Sequence, residues 1–367
     1  MEDLDYLKVD YNYIIIEKYE LIKTLDLISK ISHNNSTSIE CNSLTFIPDW
    51  RKRALTLAVT NDLTYFKNKV ELIGNINDGL TDVFSIKVET LSKLKPFFKE
   101  KILIYKKDSE YYIRLIDGDL LLHTMIPSLS RLTFTSSINE LIYQNNVKTF
   151  CDLLNPYINL HDDYSDKWLS FDGEKISLCG LNFYAETSFE SSKMCFLMND
   201  IELFSKLDRY YSDKDIFIYS TDSTIPKVQI KVENVEIEVL NVISNINNTT
   251  ISTLSAFIKE PEYNVPIEAF KRIMNIALNL PDIKKDCLIK VKDNHIVIIL
   301  SSSKGDSEFS LRTQVLEETH ELSEVKLNVD TLNKIINSFS SETVNLTLNK
   351  IYTTFSSLNI RAIILNK

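Results

Sequence analysis

The stretch LSKL, Leu91–Leu94, occurs again as FSKL at Phe204–Leu207 and as LNKI at Leu332–Ile335. Apolar residues around the copies recur at i, i+3 and i+7, which predicts a short amphipathic helix in each place. Any single surface helix carries lysines, so the repetition is more informative than the residue type. The third position of every copy is a lysine, and these lysines are Lys93, Lys206 and Lys334.

Strand-like sequence surrounds each copy. After the second copy, KVQIKVENVEIEV (Lys227–Val239) alternates apolar and polar residues, and the register breaks at Glu233 and Asn234. This period of two predicts a hairpin with one buried face. Asp117–Asp119, DGD, is a further turn signal between apolar runs. Each copy therefore belongs to a unit of strand, short helix and antiparallel meander.

A second set of amphipathic helices is spaced by about one third of the 367 residues. These segments are Tyr19–Ile31, Asn146–Ile158 and Pro266–Leu278, and each contains a lysine: Lys23, Lys148 and Lys271. Strand pairs follow each segment. A period this long indicates similar domains rather than a solenoid. We therefore predict an α+β chain of three tandem domains, each with two helices on antiparallel sheets, at 1–133, 134–256 and 257–367.

Charge and glycine content exclude several classes of protein. The net charge is −10, from 41 basic and 51 acidic residues. Tight nucleic-acid binders are usually basic, so any nucleic acid is expected to contact a small basic region of an acidic body. The six glycines form neither a G-x-G-x-x-G nor a G-x-x-x-x-G-K-[ST] loop. Nucleotide-dependent enzymes with those phosphate loops are therefore disfavoured.

No motif predicts catalysis or metal binding. The sequence lacks H-E-x-x-H, C-x-x-C and G-x-S-x-G spacings, and HDDYSD (His161–Asp166) has the composition of a polar loop. Five widely spaced cysteines indicate reduced thiols. No apolar run reaches the ~18 residues of a membrane span, and the acidic N-terminus lacks a signal-peptide core. We expect a cytoplasmic protein that is not an enzyme and has no cofactor, metal or membrane contact.

The layout resembles the bacterial DNA polymerase sliding clamp, the beta subunit. The resemblance is carried by FSIKVETLSKLKPF with its meander to LLLHTMIPSL, by VKLNVDTLNKIINSFSSETVNLTL, and by the last strand, IRAIILNK. It covers essentially the whole chain, in pattern more than in identical residues. It implies a homodimeric ring in which two three-domain subunits join head to tail, with helices lining a hole for duplex DNA and sheets outside.

The resemblance implies that lysines on these helices face the hole. A weakly basic lining attracts phosphates without holding them, so contacts are independent of DNA sequence. Pro96 follows Lys93 closely and predicts a shortened or kinked helix there. The expected DNA-contact residues are Lys23, Lys93, Lys148, Lys206, Arg209, Lys271, Arg272 and Lys334.

Clamps of this family also dock short peptides of polymerase, clamp loader and other proteins in an apolar groove. The family's Thr-Asp-Gly-His-Arg-Leu run corresponds here to LCGLNF (Leu178–Phe183), so Leu181 and Asn182 replace His and Arg. This departure suggests a divergent clamp with a different peptide preference, of bacterial or phage origin. For Leu178 and Phe183, ordinary strand core is an equal alternative. The expected groove residues are Leu178, Gly180, Phe183, Ile246, Ile363, Ile364 and Leu365.

For the dimer interface, the resemblance indicates contact between domain one and domain three of the second subunit. The alternative for each residue is packing within its own domain. The corresponding positions are Leu94, Phe98, Leu120 and Leu122 on one side, and Ile273 and Met274 on the other.

Two functions follow from the resemblance. The first is a processivity factor that encircles duplex DNA and tethers the replicative polymerase. The alternative is a clamp-derived interaction scaffold, for example one that couples replication to late transcription, without a core replication role. An enzyme with an unrecognised site is a third hypothesis, which the repeat-built chain and the missing motifs disfavour.

Overall fold

The computed structural model describes residues 9–31, 38–132, 134, 137–160, 168–180, 183–190, 192–241, 263–279, 283–292, 295–315, 324–349, 352–357 and 360–366. The α-helices in these ranges are α1 (Lys18–Leu27), α2 (Ile39–Asn42), α3 (Val88–Leu94), α4 (Val147–Leu160), α5 (Met198–Tyr211), α6 (Ile267–Asn279) and α7 (Val329–Ser338). Short 3-10 segments are Ile28–Lys30, Ile76–Asp78, Lys95–Phe97 and Leu129–Leu132.

The strands are short and numerous. The first nine are β1 (Tyr13–Glu17), β2 (Ser43–Asp49), β3 (Ala54–Thr60), β4 (Tyr65–Glu71), β5 (Phe84–Lys87), β6 (Lys101–Lys107), β7 (Glu110–Leu115), β8 (Gly118–Leu122) and β9 (Thr124–Met125). The next eight are β10 (Ile138–Asn146), β11 (Trp168–Phe171), β12 (Lys175–Cys179), β13 (Phe183–Ser188), β14 (Met194–Leu197), β15 (Asp215–Thr221), β16 (Lys227–Val232) and β17 (Val235–Leu240). The last nine are β18 (Tyr263–Pro266), β19 (Ile283–Lys292), β20 (His295–Ser302), β21 (Gly305–Arg312), β22 (Gln314–Val315), β23 (Glu324–Asn328), β24 (Thr343–Leu348), β25 (Tyr352–Ser356) and β26 (Arg361–Leu365).

The chain divides into two compact units, Met1–Cys151 with Asn199–Asn241, and Asp152–Met198 with Val242–Lys367. The first unit contains a four-stranded sheet, β1-β6-β7-β8, and a nine-stranded sheet, β10-β15-β16-β17-β4-β3-β2-β5-β9. The second contains a nine-stranded sheet, β14-β11-β12-β13-β26-β25-β24-β18-β22, and a four-stranded sheet, β21-β20-β19-β23. Neighbouring strands are antiparallel in every sheet.

One strand order occurs three times in these sheets. A strand followed by a three-strand meander gives β1-β6-β7-β8, β10-β15-β16-β17 and β18-β24-β25-β26. A second order gives β5-β2-β3-β4, β14-β11-β12-β13 and β23-β19-β20-β21. This repetition confirms the α+β fold of three similar domains with two helices each. The exact boundaries stay predictions, and the one at 256–257 lies outside the described residues.

The three LSKL-type helices bury the same position. Leu91, Phe204 and Leu332, the first residues of the copies, have no solvent exposure. The lysine two residues later is rotated away from that stripe, because successive helical residues turn by about 100°. The repeat therefore places a core residue and, two residues later, a lysine outside the buried stripe, which is exposed at Lys93 and half-buried at Lys206 and Lys334.

The helix shortening predicted from Pro96 is confirmed in the first copy, and the third copy shows what starts its helix. Helix α3 stops at Leu94 and continues as a 3-10 turn that contains Pro96, whose missing N–H cannot extend the α-helical ladder. Helix α7 begins at a side-chain cap, since Asn328 accepts a hydrogen bond from the Thr331 N–H at 3.0 Å. Thus α3 has 7 residues and α7 has 10.

A buried carboxyl group lies in the first turn of α5. Asp200 is 3% exposed, and its Oδ1 accepts a hydrogen bond from the Thr64 hydroxyl at 2.6 Å. Its Oδ2 has no hydrogen-bond partner within the described part of the chain. Burial raises the pKa of Asp200 from 3.8 to about 6, although the Thr64 hydrogen bond opposes the shift.

Asp200 is expected to destabilise the protein as the pH rises. A folded-state pKa above the unfolded value means that the folded state binds the proton more tightly, so stability falls between about pH 4 and pH 6 and stays lower above. Asp200→Asn should remove this dependence. Between pH 4 and pH 7, the free energy of unfolding of the variant, relative to that of the wild type, should therefore rise by up to about 3 kcal/mol. Urea unfolding across that range measures the difference.

The matched control for this prediction is Asp213→Asn, because the Asp213 side chain is 76% exposed. That variant should follow the wild-type pH profile. An Asp200→Asn profile that also follows the wild type would show that the Asp200 carboxyl group titrates equally in the folded and unfolded chain.

Candidate nucleic-acid interface and partner groove

Four of the eight predicted DNA-contact cations are exposed on helices. Lys93 has 75% side-chain exposure and an ion pair with Glu89 at 2.6 Å, one helical turn away. Arg209 on α5 has 72% side-chain exposure. Lys148 on α4 and Arg272 on α6 are also exposed. Exposed side chains of this kind can contact a phosphate without any change in core packing.

Lys23 is the one predicted DNA-contact cation that is fully buried, at 5% exposure. Its Nζ lies 2.7 Å from Glu20 Oε2 and faces the rings of Tyr19 and Tyr211 at 5.3 and 5.0 Å. The carboxylate and the two ring faces stabilise the ammonium where it lies. Lys23 would lose these contacts to reach DNA, so it is left out of the contact set proposed below.

Lys206 and Arg209 converge on the last turn of α1, within the first unit. Arg209 Nη1 lies 3.3 Å from Asp26 Oδ2, and the Tyr210 hydroxyl donates to the same oxygen at 2.9 Å. Lys206 Nζ donates to the Asp26 carbonyl at 3.0 Å and to the Ser29 hydroxyl. Burial and the Asp26 carboxylate raise the pKa of Tyr210 to about 12. Both cations therefore have partners at the helix surface.

In the second unit, α6 and α7 pack against each other and carry the remaining cations. Lys271 Nζ donates to the Phe339 carbonyl at 3.0 Å and lies 3.4 Å from Glu268. Lys334 on α7 is half-buried. Exposed pairs between neighbouring turns contribute only about 0.3–0.5 kcal/mol, so a phosphate can replace the acidic partner.

The predicted partner groove maps onto three neighbouring strands of the second unit, β12, β13 and β26. Phe183 of β13 is directly opposite Ile364 of β26, in an antiparallel pairing. Four of the predicted groove residues are buried at 5% exposure or less, whereas Leu365 is 40% exposed. The buried four are Leu178, Phe183, Ile363 and Ile364. Ile246, Leu181 and Asn182 lie outside the described residues. The strand-core alternative thus describes Leu178 and Phe183, and Leu365 provides the open apolar surface.

Gly180 is required by the close approach of an aromatic ring. The Gly180 N–H donates to the Phe183 carbonyl at 2.9 Å. A Cβ added to Gly180 would lie 2.2 Å from the Phe183 ring, so no other residue fits without displacing it. Phe183 therefore covers the glycine position of the LCGLNF run.

A polar row that the sequence did not reveal crosses the same sheet. Registers across β13, β26, β25, β24 and β18 align one polar residue per strand. These residues line a cavity of about 730 Å³. The sequence shows polar residues at alternate positions of each of these strands. The order of the strands in the sheet is needed to see that these residues form one row. The row consists of Glu186, Arg361, Ser356, Asn345 and Asn264.

The predicted interface residues divide by burial. Leu94 is half-buried and Leu120 is 40% exposed on β8. The other four, Phe98, Leu122, Ile273 and Met274, pack within the chain at 6% exposure or less. Exposed apolar side chains near those positions were not predicted. They are Leu121, Phe97 and Ile116 around β8, and Ile276 and Leu278 on α6.

Metal and membrane features are missing from the residues that the structure describes. Across that part of the chain, no three His, Cys, Asp or Glu side chains are grouped to hold a metal ion. The segment His161–Asp166 lies outside it. None of the described helices has the length and apolarity of a membrane-spanning segment.

Comparison with known proteins identifies the fold. No family model matches the sequence, and no curated protein matches it. Among solved structures, the chain is similar to the Pseudomonas aeruginosa sliding clamp bound to griselimycin, with a TM-score of 0.79 at 11% identity over 97% of this chain and 99% of that one.

Two further solved structures give the same result. The Bacillus subtilis DNA polymerase sliding clamp has a TM-score of 0.77 at 11% identity, over 98% and 99% of the two chains. The Helicobacter pylori beta clamp bound to a DNA ligase peptide has 0.73 at 12%, over 97% and 99%. The chain has the fold of the DNA polymerase III beta sliding clamps along nearly its whole length, in a strongly diverged sequence.

Proposed function

We propose that the protein is a DNA sliding clamp, in which two copies form a ring around duplex DNA and tether the replicative polymerase. The observation that carries the proposal is the threefold strand order in a chain that matches sliding clamps from end to end. The role is that of a cytoplasmic processivity factor without catalytic chemistry. Fold alone does not fix function, so support has to come from the sheet edges, the cations and the groove.

The strand order supports closure by a second copy. The two nine-stranded sheets are each joined through the last strands of two four-stranded sets, at β17–β4 and at β13–β26. In the threefold repeat, β8 is equivalent to β17 and β26, and β21 is equivalent to β4 and β13. Within the described sheets, β8 and β21 are the two of these six strands that are not paired with a strand of another set. We infer that β8 of one copy pairs with β21 of another, and two such contacts close a ring.

Apolar side chains accompany both edges. Leu120 and Leu121 on β8 are 40% and 42% exposed. Helix α6 contacts β21 and exposes Ile276 and Leu278 at 42% and 45%. Exposed apolar groups beside an unpaired edge favour a protein interface. In this pairing Leu120 would lie at the dimer interface, as predicted. Leu122 was predicted there too, but it is buried within the chain.

The cations suit weak, sequence-independent DNA contact. We assign the contact to the exposed Lys93, Lys148, Arg209 and Arg272, with the partly buried Lys206, Lys271 and Lys334 behind them. Most already have an acidic or carbonyl partner, so each phosphate contact is an exchange with little net gain. A ring supplies retention by enclosure, which is compatible with a net charge of −10.

The partner groove is proposed at the β13–β26 junction, around Leu365. The Helicobacter pylori clamp was solved with a DNA ligase peptide, and a short peptide of the polymerase or clamp loader is the corresponding occupant here. Leu365→Lys should weaken binding of such peptides at least tenfold, because it places a charge on the exposed apolar side chain. Fluorescence anisotropy with labelled peptides from the same genome's polymerase and loader measures it.

The control for the groove variant is Ile126→Lys, since Ile126 is 88% exposed and lies far along the chain from β13 and β26. It should bind peptide as the wild type does. Equal affinity of the Leu365→Lys variant and the wild type would remove this surface from the proposal.

Primer extension on a primed single-stranded circle tests the function. With the polymerase and loader of the same genome, the protein should lengthen the products made per binding event. Unchanged product length would contradict the processivity role. If a transcription protein instead dominated capture from cell extract, the clamp-derived scaffold would be the better description.

A further inference from the structure

The junction of α1 and α5 contains an acidic residue that the proposed function does not use. Asp26 lies in the last turn of α1, where the helix carries no basic residue of its own. The negative end of a helix dipole disfavours an acid at that place. Asp26 is nevertheless held by side chains of α5, so its charge is compensated from another helix.

The contacts of Asp26 divide between its side chain and its backbone. The carboxylate accepts from Arg209 at 3.3 Å and from the Tyr210 hydroxyl at 2.9 Å. The backbone carbonyl accepts from Lys206 at 3.0 Å. A change at the carboxylate therefore releases Arg209 and leaves the acceptor of Lys206 in place. Arg209 Cζ also lies 5.5 Å from the Tyr210 ring centroid.

Arg209 and Asp26 form a solvent-accessible ion pair. The Arg209 side chain is 72% exposed and that of Asp26 is 29% exposed, so solvent and a phosphate reach the pair. A guanidinium donates equally well to carboxylate and phosphate oxygens. Asp26 thus offers Arg209 the same kind of acceptor that a DNA backbone does.

We propose that Asp26 is an internal competitor for phosphate, which holds Arg209 between DNA contacts and so keeps the clamp's affinity for duplex low enough to slide. The inference rests on the proposed clamp function. Each time DNA moves by one phosphate, Arg209 returns to Asp26 instead of remaining an unpaired cation. Asp26 acts through Arg209 and is therefore a positioning residue.

Asp26→Asn tests the proposal, because it removes the charge and retains an oxygen for Tyr210. Affinity for a labelled duplex, measured by anisotropy at 50 mM salt, should increase about threefold, the size expected when an exposed ion-pair partner is removed. The slope of log affinity against log salt should steepen by about 0.9 for each Arg209 that reaches a phosphate. Asp26→Glu should restore wild-type affinity and slope.

The matched control is Glu71→Gln, which removes the same charge from an exposed position on β4. A general charge effect would raise affinity equally in both variants and would overturn the proposal. So would an Asp26→Asn slope equal to that of the wild type, since a merely structural role predicts altered thermal stability without a change in slope. Thermal unfolding of each variant checks that the chain is folded.

The competitor role and the clamp function can fail separately. If wild type binds duplex and Arg209→Gln weakens binding, while Asp26→Asn changes nothing, the competitor role is wrong and the clamp proposal stands. If wild type shows no salt-dependent duplex binding and Arg209→Gln has no effect, both are wrong.

Discussion

Replacing Leu120 and Leu121 together by aspartate should convert a dimer into a monomer, with at least a hundredfold increase in the dimer dissociation constant. That change corresponds to about 2.8 kcal/mol. The two leucines supply exposed apolar surface on the edge strand β8. Aspartate there would also oppose Asp306 and Glu308, which are exposed on β21. Sedimentation velocity over a wide concentration range measures the effect.

The control for this variant changes two exposed apolar residues away from both edges. Leu63 and Ile225 lie in turns of a sheet that contains neither β8 nor β21. They are 45% and 57% exposed, and their double aspartate variant should remain dimeric. A Leu120–Leu121 variant that sediments as the wild-type dimer would exclude β8 from the interface. Both leucines are at the surface, so the variant should fold normally, and circular dichroism checks that it does.

Reversing Arg209 and Arg272 to glutamate should abolish most of the affinity for duplex DNA. The affinity should fall at least a hundredfold at 50 mM salt, and the log–log salt slope should become shallower by about 0.9 for each phosphate that the variant no longer neutralises. Both residues are exposed on helices, so core packing should be kept, while the Asp26 carboxylate loses its cation. Anisotropy titrations of a labelled duplex at several salt concentrations give both values.

The matched control reverses Arg51 and Lys52, which are exposed in the turn between β2 and β3. It changes the net charge by the same amount, away from the helices. Equal decreases in affinity for the two variants would mean that DNA responds to overall charge, and the helices would have no special role.

The repeat was the part of the fold that local sequence could predict. The amphipathic spacing at LSKL, the hairpin alternation in Lys227–Val239 and the break at Pro96 are all local signals, and the structure confirms them. Strand pairing between repeats, as at β17–β4, joins residues far apart in the chain. The three-domain pattern alone therefore indicated the units but not their order in the sheets.

Burial of individual site residues could not be predicted in the same way. Lys23 is buried because Tyr211, far along the chain, covers it. The competition of Asp26 for Arg209 likewise needs α1 and α5 side by side. The interface itself stays a prediction, and the structure shows which apolar residues near β8 are exposed. Which leucine faces out depends on the sheet edge, so Leu121 was missed and Leu122 is buried.

The central claim is that two copies close into a ring around a hole. Electron microscopy of the purified protein, at a concentration where sedimentation shows a single species, tests it most directly. We expect class averages of a closed ring of two copies, near twice the 42.4 kDa of one chain, with a central hole that admits duplex DNA. Single-copy arcs, or compact particles without a hole, would contradict it.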